Sequence, residues 1–279
     1  MRLEEAIASI GMTPPRSIPE GRWVRFPGIG KGRSNRAGWC RRISPTLAVF
    51  GDWSSGLTET WKDDAHRDDA ESRRLLAEAR QRERQFAEQQ ARKQAAVAEQ
   101  ARALIARAML LTHPYLVRKG FPTTQGLVRD SKLLIPVRDV RDYGRVMSLQ
   151  EIDVAGEKRF LPGGKTRGGI YRIGALPAEA RRIVLCEGFA TGLSLSAALK
   201  RLPGTHTVVA CFSAYNLQIV AEHFPKAIVC ADHDASGTGA MAAHATGLPW
   251  TQPVEVGDFN DLHQAKGVHA VTEALRDLF

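Results

Sequence analysis

The sequence has few of the features that mark secreted, zinc-binding or membrane-spanning proteins. Its 279 residues include only four cysteines, which are widely spaced and form no Cys-x-x-Cys pair. Such cysteines predict reduced, buried thiols and no zinc site. No run approaches about 18 apolar residues, and the first residues contain no apolar signal region. We therefore expect a cytoplasmic protein with no membrane partner.

Acidic and basic residues are unevenly distributed within a formal net charge of +9. Residues 1–62 carry ten Lys or Arg against five Asp or Glu, and residues 113–182 carry fourteen against seven. Residues 183–279 are acidic, with five Lys or Arg against nine Asp or Glu. This polarity suits a polyanionic substrate that is held by one part of the chain and presented to acidic residues in another. A basic surface without a partner is the alternative.

Three short apolar runs in the acidic part each stop at a polar or acidic residue. They cover residues 183–186, 208–212 and 228–231, and helix-like segments separate them. Such runs predict parallel strands of an α/β sheet that is buried on both faces. Because ligands bind beyond the carboxyl ends of parallel strands, we expect Glu187, Asp232 and Asp234 to gather at one edge of the sheet.

Clustered carboxylates repel one another unless they share a proton or a cation. Mg²⁺ binds one or two carboxylates together with substrate phosphates. Gly188, directly after Glu187, is expected to let the backbone turn sharply and approach a phosphate. In the alternative interpretation, Asp232 and Asp234 are turn and N-cap residues before a helix.

The motifs in this part resemble the Toprim domain of bacterial-type DNA primases, topoisomerases and related nucleases. They are a strand ending in Glu187-Gly, a strand ending in Asp232-x-Asp, and Gly-Asp-Phe-Asn-Asp at residues 257–261. The amino-acid sequences of residues 186–192 and 257–263 are similar to the corresponding motifs of primases carried by plasmids and phages. The resemblance implies that Glu187 is a general acid/base or metal-site carboxylate, and that Asp232, Asp234 and Asp258 hold Mg²⁺ or Mn²⁺. Thr191 departs from cellular bacterial primases, which have aspartate there.

A glycine-rich basic segment precedes these motifs and contains Lys158, Arg159, Lys165 and Arg167. Flexible backbone with four cations can wrap phosphates, and arginine binds them bidentately. A solvated surface hairpin is the alternative. The segment resembles the basic motif of bacterial-type primases, which implies nucleotide and template binding by Arg159 and by Lys165 or Arg167.

Residues 1–62 mix glycine, proline, tryptophan and arginine with short alternating runs, which predicts a small β-rich module. Interleaved tryptophan and arginine suit stacking on unpaired bases with phosphate contacts, and they equally suit a small core capped by charges. Residues 50–61 resemble the N-terminal region of plasmid and phage primases, at the position where cellular primases have a zinc ribbon. The candidate DNA-binding residues are Trp23, Arg25, Trp39, Arg41 and Arg42.

Residues 63–112 contain no glycine or proline and predict one long helix or two. We interpret this segment as a solvated connector whose ends pack; a dimerising coiled coil is the alternative, although sustained heptads are missing. Residues 113–182 alternate in a pattern that predicts an antiparallel meander. Pro136 within its apolar run predicts an edge strand.

The expected fold is α/β, with a β-rich N-terminal module (1–62), a helical connector (63–112), a basic mixed-sheet primase subdomain (113–182) and a Toprim domain (183–279). The resemblance implies a primase that joins ribonucleoside triphosphates on a single-stranded DNA template and works with a replicative helicase on another chain. A Toprim-type nuclease and a non-catalytic, single-stranded-DNA-binding replication accessory are the alternatives. A topoisomerase is disfavoured by the four tyrosines and the lack of a domain for a strand-passing gate.

Overall fold

The computed structural model describes residues 1–55, 57–63, 70–276 and 278, and it divides into two compact units. The N-terminal unit is Met1–Gln89 and the C-terminal unit is Gln90–Phe279. Residues 64–69 of the expected connector lie outside the described residues. The expected boundary at residues 182 and 183 falls within the C-terminal unit. None of the helices in the described part combines the length and the apolar character needed to cross a membrane.

The N-terminal unit is built on a four-stranded antiparallel sheet with one short helix, as the alternating runs predicted. Strand order follows chain order. Alternate residues of the strands point to one face, where they pack with helix α1 around Ile7, Phe26 and Phe50. The elements are α1 (Leu3–Ser9), β1 (Trp23–Phe26), β2 (Gly38–Ser44), β3 (Leu47–Asp52) and β4 (Leu57–Lys62).

Within the predicted connector, one helix, α2 (Ala70–Ala106), forms because no glycine or proline interrupts it. The expectation that helix continues to residue 112 was wrong, since Met109–Leu111 form a strand that pairs antiparallel with residues 126–128. The 37 residues of α2 span about 55 Å. Phe86 in its middle is exposed, whereas Ala101 is buried. Val97, Leu104 and Ile105 pack with Ala101 in a cluster of the C-terminal unit. The middle and the C-terminal end of the helix thus agree with the expected solvated connector, and packing of its N-terminal end stays a prediction.

The C-terminal unit contains one continuous ten-stranded sheet. Its principal path runs β14-β13-β11-β12-β10-β7-β6-β5, and β8 and β9 extend from β7. The strands are β5 (Met109–Leu111), β6 (Gly126–Arg129), β7 (Lys132–Asp139), β8 (Val146–Ile152), β9 (Lys158–Phe160), β10 (Gly169–Gly174), β11 (Arg182–Cys186), β12 (His206–Ala210), β13 (Ile228–Cys230) and β14 (Trp250–Thr251). The helices are α3 (Pro114–Arg118), α4 (Phe189–Leu199), α5 (Ala214–Ala221), α6 (Thr238–Ala245) and α7 (Phe259–Arg276).

The sheet has a parallel half and an antiparallel half. Strands β11, β12, β13 and β14 pair in parallel, and β10 joins β12 in the antiparallel sense. Helices α5 and α6 cover one face of the parallel half, packing on Leu185, Val209 and Val229. Helices α4 and α7 cover the other, packing on Val184 and Val208. Burial on both faces explains why these strands are continuous apolar runs.

Strands β6 to β9 form the predicted meander, but the expectation that Pro136 marks an edge strand was wrong. Strand β7 lies inside the sheet, between β8 on one side and β6 and β10 on the other. On that second side, β6 pairing ends at Leu134 and β10 pairing begins at Arg138. Pro136 falls in this gap, where its missing N–H removes no hydrogen bond to either strand.

All four cysteines are buried, as predicted. Cys40 lies in the N-terminal core, and the other three lie in or directly after strands of the parallel half. Burial raises the pKa of the Cys40 thiol to about 12, which keeps it in the neutral form.

Candidate active site

A pocket of about 170 Å³ opens at the carboxyl ends of the parallel strands in the C-terminal unit. Its acidic wall carries side chains from the loops after β11 and β13 and before α7, and its basic wall carries Lys119, at the end of α3, and Lys158, on β9. The lining residues are Lys119, Gln150, Lys158, Glu187, Gly188, Phe189, Ala190, Thr191, Phe212, Asp232 and Asp258. Three of the four predicted acidic residues thus share this pocket.

Asp232 follows β13 and is the most strongly perturbed carboxylate of the pocket. Its pKa is raised to about 7, first because burial removes water and then because Glu187 and Asp258 add negative charge. Lys158 acts in the opposite direction. The Oδ1 atom of Asp232 is buried and has no hydrogen-bond partner among the described residues. This carboxylate is therefore suited to bind a cation or a proton.

Glu187 directly follows β11, and its pKa is raised because its carboxylate is partly desolvated. The backbone N–H of Ala214, at the start of α5, donates a hydrogen bond to it and limits the rise. The Glu187 carbonyl accepts a 2.7 Å hydrogen bond from the N–H of Phe212. Phe212 has a φ of 70°, which is costly for a residue other than glycine and is typical of functional sites.

Gly188 is the N-cap residue of α4, so the chain does turn there from strand to helix. Its φ of −100° and ψ of 152° are extended values that any residue adopts, so the turn does not require glycine, and close approach to a phosphate at this position stays a prediction. Gly257, before Asp258, is the glycine that the backbone requires, because its φ is 135° and a Cβ atom would lie 2.9 Å from Asp261 Oδ2.

Asp258 is held in place by both its oxygen atoms. Oδ1 accepts hydrogen bonds from the N–H groups of Asn260 (2.6 Å) and Asp261 (2.9 Å) at the start of α7. Oδ2 accepts a 3.1 Å hydrogen bond from the hydroxyl of Thr191, which is buried. Thr191 stands where cellular bacterial primases have aspartate, and here it fixes the position of a pocket carboxylate.

Asp234 does not line the pocket, and its carboxylate is engaged at the start of α6. It accepts hydrogen bonds from Ser236 Oγ and from the N–H groups of Thr238 (3.1 Å) and Gly239 (2.8 Å). These donors lower its pKa to about 2. The N-cap residue of α6 is Gly237, so Asp234 does not take the N-cap position considered for it, but its side chain does satisfy N–H groups of the first turn. Metal binding by Asp234 stays a prediction.

Lys119 and Lys158 form the basic wall of the pocket. The pKa of Lys158 is lowered, first by desolvation and then by repulsion from Lys119, while Asp258 and Asp232 oppose the change. Its Nζ atom lies 5.8 Å from the ring centroid of Tyr115. Tyr115 is buried, and burial and Asp258 raise its pKa to about 12. Two lysines thus share one small pocket with three carboxylates, and Lys119 Nζ also lies 4.0 Å from Asp261 Oδ1.

The other predicted cations do not line this pocket. Arg159 is exposed and pairs with Glu157 at 2.8 Å. Arg167 donates a hydrogen bond to the Tyr215 hydroxyl, and its guanidinium lies 5.8 Å from that ring centroid. Lys165 is only partly exposed. Nucleotide or template binding by these three residues stays a prediction.

Two buried asparagines connect the halves of the sheet next to the pocket. Asn260 Nδ2 donates to the Lys119 carbonyl (2.8 Å) and to Ser194 Oγ (3.0 Å). Asn216 accepts from the Gly168 N–H and donates to the carbonyls of Gly169 and Cys211, each at 2.7 Å. Because Asn260 holds the Lys119 backbone, it places a lysine that the sequence gave no reason to select. Lys119 and Gln150 have no motif that would have identified them.

The pocket fits a divalent cation that binds together with a substrate phosphate. Within the described residues, no group of three or more His, Cys, Asp or Glu side chains is close enough to hold a metal ion. Mg²⁺ does not need such a group, since one or two carboxylates and phosphate oxygens are its usual ligands. The unpartnered Asp232 Oδ1 and the neighbouring Glu187 and Asp258 provide oxygen donors of the right chemistry.

The candidate DNA-binding residues belong to the N-terminal unit. Trp23 and Arg25 lie on β1, and Trp39 and Arg41 lie opposite them on β2. Arg42 points to the other face, because it lies opposite Ala48 of the core, and it donates a hydrogen bond to the Pro45 carbonyl. DNA binding by this set stays a prediction.

Comparison with known proteins agrees with the motif resemblance. Residues 182–269 match the family model described as the Toprim domain, so this part of the chain is a Toprim domain, as predicted. Two curated relatives, each named DNA primase TraC from Escherichia coli, are 31% identical over 193 residues and 32% identical over 195 residues. Each alignment covers 64% of this chain but only 13% and 18% of the relatives, so the chain spans less than a fifth of their length.

Similar solved structures include the E. coli primase catalytic core, with 16% identity and a TM-score of 0.39 over 70% of this chain and 72% of that one. A DNA primase domain from Pseudomonas aeruginosa has 15% identity and a TM-score of 0.36 over 61% and 56%. These values are too low for the structural likeness to carry an argument of its own.

Proposed function

We propose that this chain, with its Toprim domain, is a DNA primase-like enzyme that joins ribonucleoside triphosphates into short primers on single-stranded DNA. The observation that carries the proposal is the pocket that Glu187, Asp232 and Asp258 line together with Lys119 and Lys158. The similarity to DNA primase TraC supports the choice among the activities of Toprim proteins. A replicative helicase on another chain is part of the proposal.

In this reaction a 3′ hydroxyl attacks an α-phosphate and pyrophosphate leaves, so negative charge grows on the phosphate oxygens. Lys119 and Lys158 lie where they would neutralise that charge in a partly desolvated site. Glu187 has a raised pKa and would accept the proton of the attacking hydroxyl. Thr191 and Asn260 would hold Asp258 and Lys119 in position.

Mg²⁺ or Mn²⁺, when bound, would neutralise phosphate charge and lower the pKa of the attacking hydroxyl. Asp232 and Asp258 are the residues we expect to hold it, with Glu187 as a further donor. Asp234 would contribute only if its carboxylate left the first turn of α6, where it now accepts its hydrogen bonds.

The proposal is tested by incubating the protein with single-stranded DNA, labelled ribonucleotides and Mg²⁺ or Mn²⁺. We expect metal-dependent oligoribonucleotides from the wild type and none above background from Asp232→Ala or Glu187→Gln. Glu222→Gln, which changes an exposed glutamate on the same unit, is the charge-matched control and should retain activity.

Each other outcome contradicts priming and indicates another function. Metal-dependent shortening of the DNA, lost in Asp232→Ala, would indicate a Toprim-type nuclease. DNA binding without any product, unchanged by either substitution, would indicate a non-catalytic accessory.

Asp234→Asn separates the two roles considered for that residue. Loss of stability alone indicates that its carboxylate stabilises the start of α6, whereas loss of activity at unchanged stability indicates metal binding.

A further inference from the structure

One face of the four-stranded sheet in the N-terminal unit carries a row of three tryptophans. The ring centroids of Trp23 and Trp39 are 5.1 Å apart, and those of Trp39 and Trp53 are 5.3 Å apart. Trp39 is 5% exposed, whereas Trp23 and Trp53 are 53% and 58% exposed. The row therefore consists of two exposed outer rings that a buried central ring supports.

Strand register places this row on the face that α1 does not cover. Trp23 lies opposite Arg41 and Arg25 lies opposite Trp39, and residues directly opposite in a sheet share a face. Trp39 in turn lies opposite Gly51. A Cβ atom at Gly51 would be 2.9 Å from Trp39 Cζ2, so the glycine leaves the space that the central ring occupies.

Two arginines accompany the outer rings. The guanidinium of Arg25 is 5.9 Å from the ring centroid of Trp53, and that of Arg41 is 5.8 Å from that of Trp23. The nearby acid Asp52 is engaged internally, because its carboxylate accepts hydrogen bonds from the N–H groups of Ile29 and Ser54. The row thus combines flat apolar surface with positive charge.

We propose that Trp23, Trp39 and Trp53, with Arg25 and Arg41, form a binding surface for single-stranded nucleic acid. Successive bases would stack on the two outer rings, and the two arginines would bind the phosphates between them. Such stacking tolerates any base, because every base has a π-face. The site deepens the proposed function by assigning a template-holding surface to a unit that lacks the catalytic carboxylates.

The proposal also revises the set that the sequence suggested. We add Trp53 to the set because its ring continues the row, although this residue lies just beyond the end of β3. Arg42 leaves it because it points to the core face. Trp39 contributes as a support rather than as a stacking surface, since it is almost fully covered.

The test measures binding of the whole protein to a fluorescein-labelled oligo-dT in buffer with EDTA, by fluorescence anisotropy. Trp23→Ala and Trp53→Ala should each raise Kd by about 5- to 100-fold, as expected for loss of one stacked base. Arg25→Ala should weaken binding and reduce the slope of log Kd against log salt by about one phosphate contact. Phe86→Ala is the matched control, because it removes an exposed aromatic ring from α2 of the same unit.

A second measurement uses the unaltered protein, so that a folding defect cannot decide the result. Oligo-dT should quench tryptophan emission and protect it from acrylamide. Wild-type affinity in both tryptophan variants, or binding without a change in emission, would overturn the proposal and leave the row as a surface for a protein partner. Asp232→Ala should retain the affinity while primer synthesis is lost, so failure of the proposed reaction and failure of this surface give different results.

Discussion

The acidic wall of the pocket takes two of its three carboxylates from the ends of parallel strands, whereas the basic wall takes Lys158 from an antiparallel strand and Lys119 from the end of α3. Glu187 and Asp232 follow β11 and β13, whose carboxyl ends meet at one edge because the strands run in the same direction. Lys158 lies in the short strand β9, where its neighbour Arg159 pairs with Glu157 instead. In a parallel sheet the residues at the carboxyl ends of neighbouring strands lie close together at one edge. Along a single strand, adjacent residues such as Lys158 and Arg159 point to opposite faces of the sheet and contact different groups.

The largest expected effect is a loss of activity on substitution of Lys158 in the basic wall. Lys158→Ala should lower kcat/KM for ribonucleotide incorporation by about 100-fold, since it removes a preorganised cation from the site. Arg159→Ala, its matched control one residue away, should change kcat/KM by less than about twofold, because an exposed ion pair contributes little. Steady-state kinetics with labelled ribonucleotides measures both values. Equal losses in the two variants would contradict the assignment of Lys158, and not Arg159, to the basic wall.

An intermediate effect is expected from the acidic wall in the absence of metal. Asp232→Asn should raise the free energy of unfolding by about 2 kcal/mol at pH 8, because it removes a buried charge that lies near two other carboxylates. Urea denaturation in EDTA measures the change, and Glu222→Gln should leave the free energy within about 0.5 kcal/mol of the wild type. A destabilised Asp232→Asn protein would show that the acidic wall is held together by internal pairing.

The smallest effect concerns the opposite ends of the same parallel strands. His206, the first residue of β12, is buried and lies 3.0 Å from Ser196 Oγ through its Nε2. Its pKa is lowered below 6.5 by desolvation and then by Lys200 and Arg182. The folded protein therefore keeps this histidine neutral at a pH where the unfolded chain binds a proton. Its contribution to stability is present above about pH 6.5 and is lost as the pH falls through the folded-state value.

His206→Gln should therefore flatten the decline in stability between pH 7 and pH 5.5, measured by urea denaturation at each pH. Because the residue lies far along the strands from the pocket carboxylates, the pH profile of activity should not change. A variant with the wild-type dependence of stability on pH would show that His206 is not the group responsible.

Much of the site on the acidic side could be predicted because it depends on local sequence. Each run of apolar residues ends within two residues of the end of its strand, so the positions of Glu187 and Asp232 near strand ends follow from the pattern alone. The α/β class, the N-terminal β module and the meander follow from the same periodicity. At Asp234 the sequence left metal binding and helix capping open, and only the structure shows that its carboxylate accepts hydrogen bonds at the start of α6.

The sequence by itself determined the strands, their burial on two faces and the acidic residues at their ends, because hydrophobic period and strand termini are local properties. Only the tertiary structure decided that Lys119 joins Lys158 in one pocket with those acids, that Pro136 lies in a gap of an interior strand, and that Trp53 completes a row with Trp39. These are contacts between residues distant in the chain. They depend on strand order, register and long-range hydrogen bonds such as that of Asn260 to the Lys119 carbonyl, which no local pattern encodes.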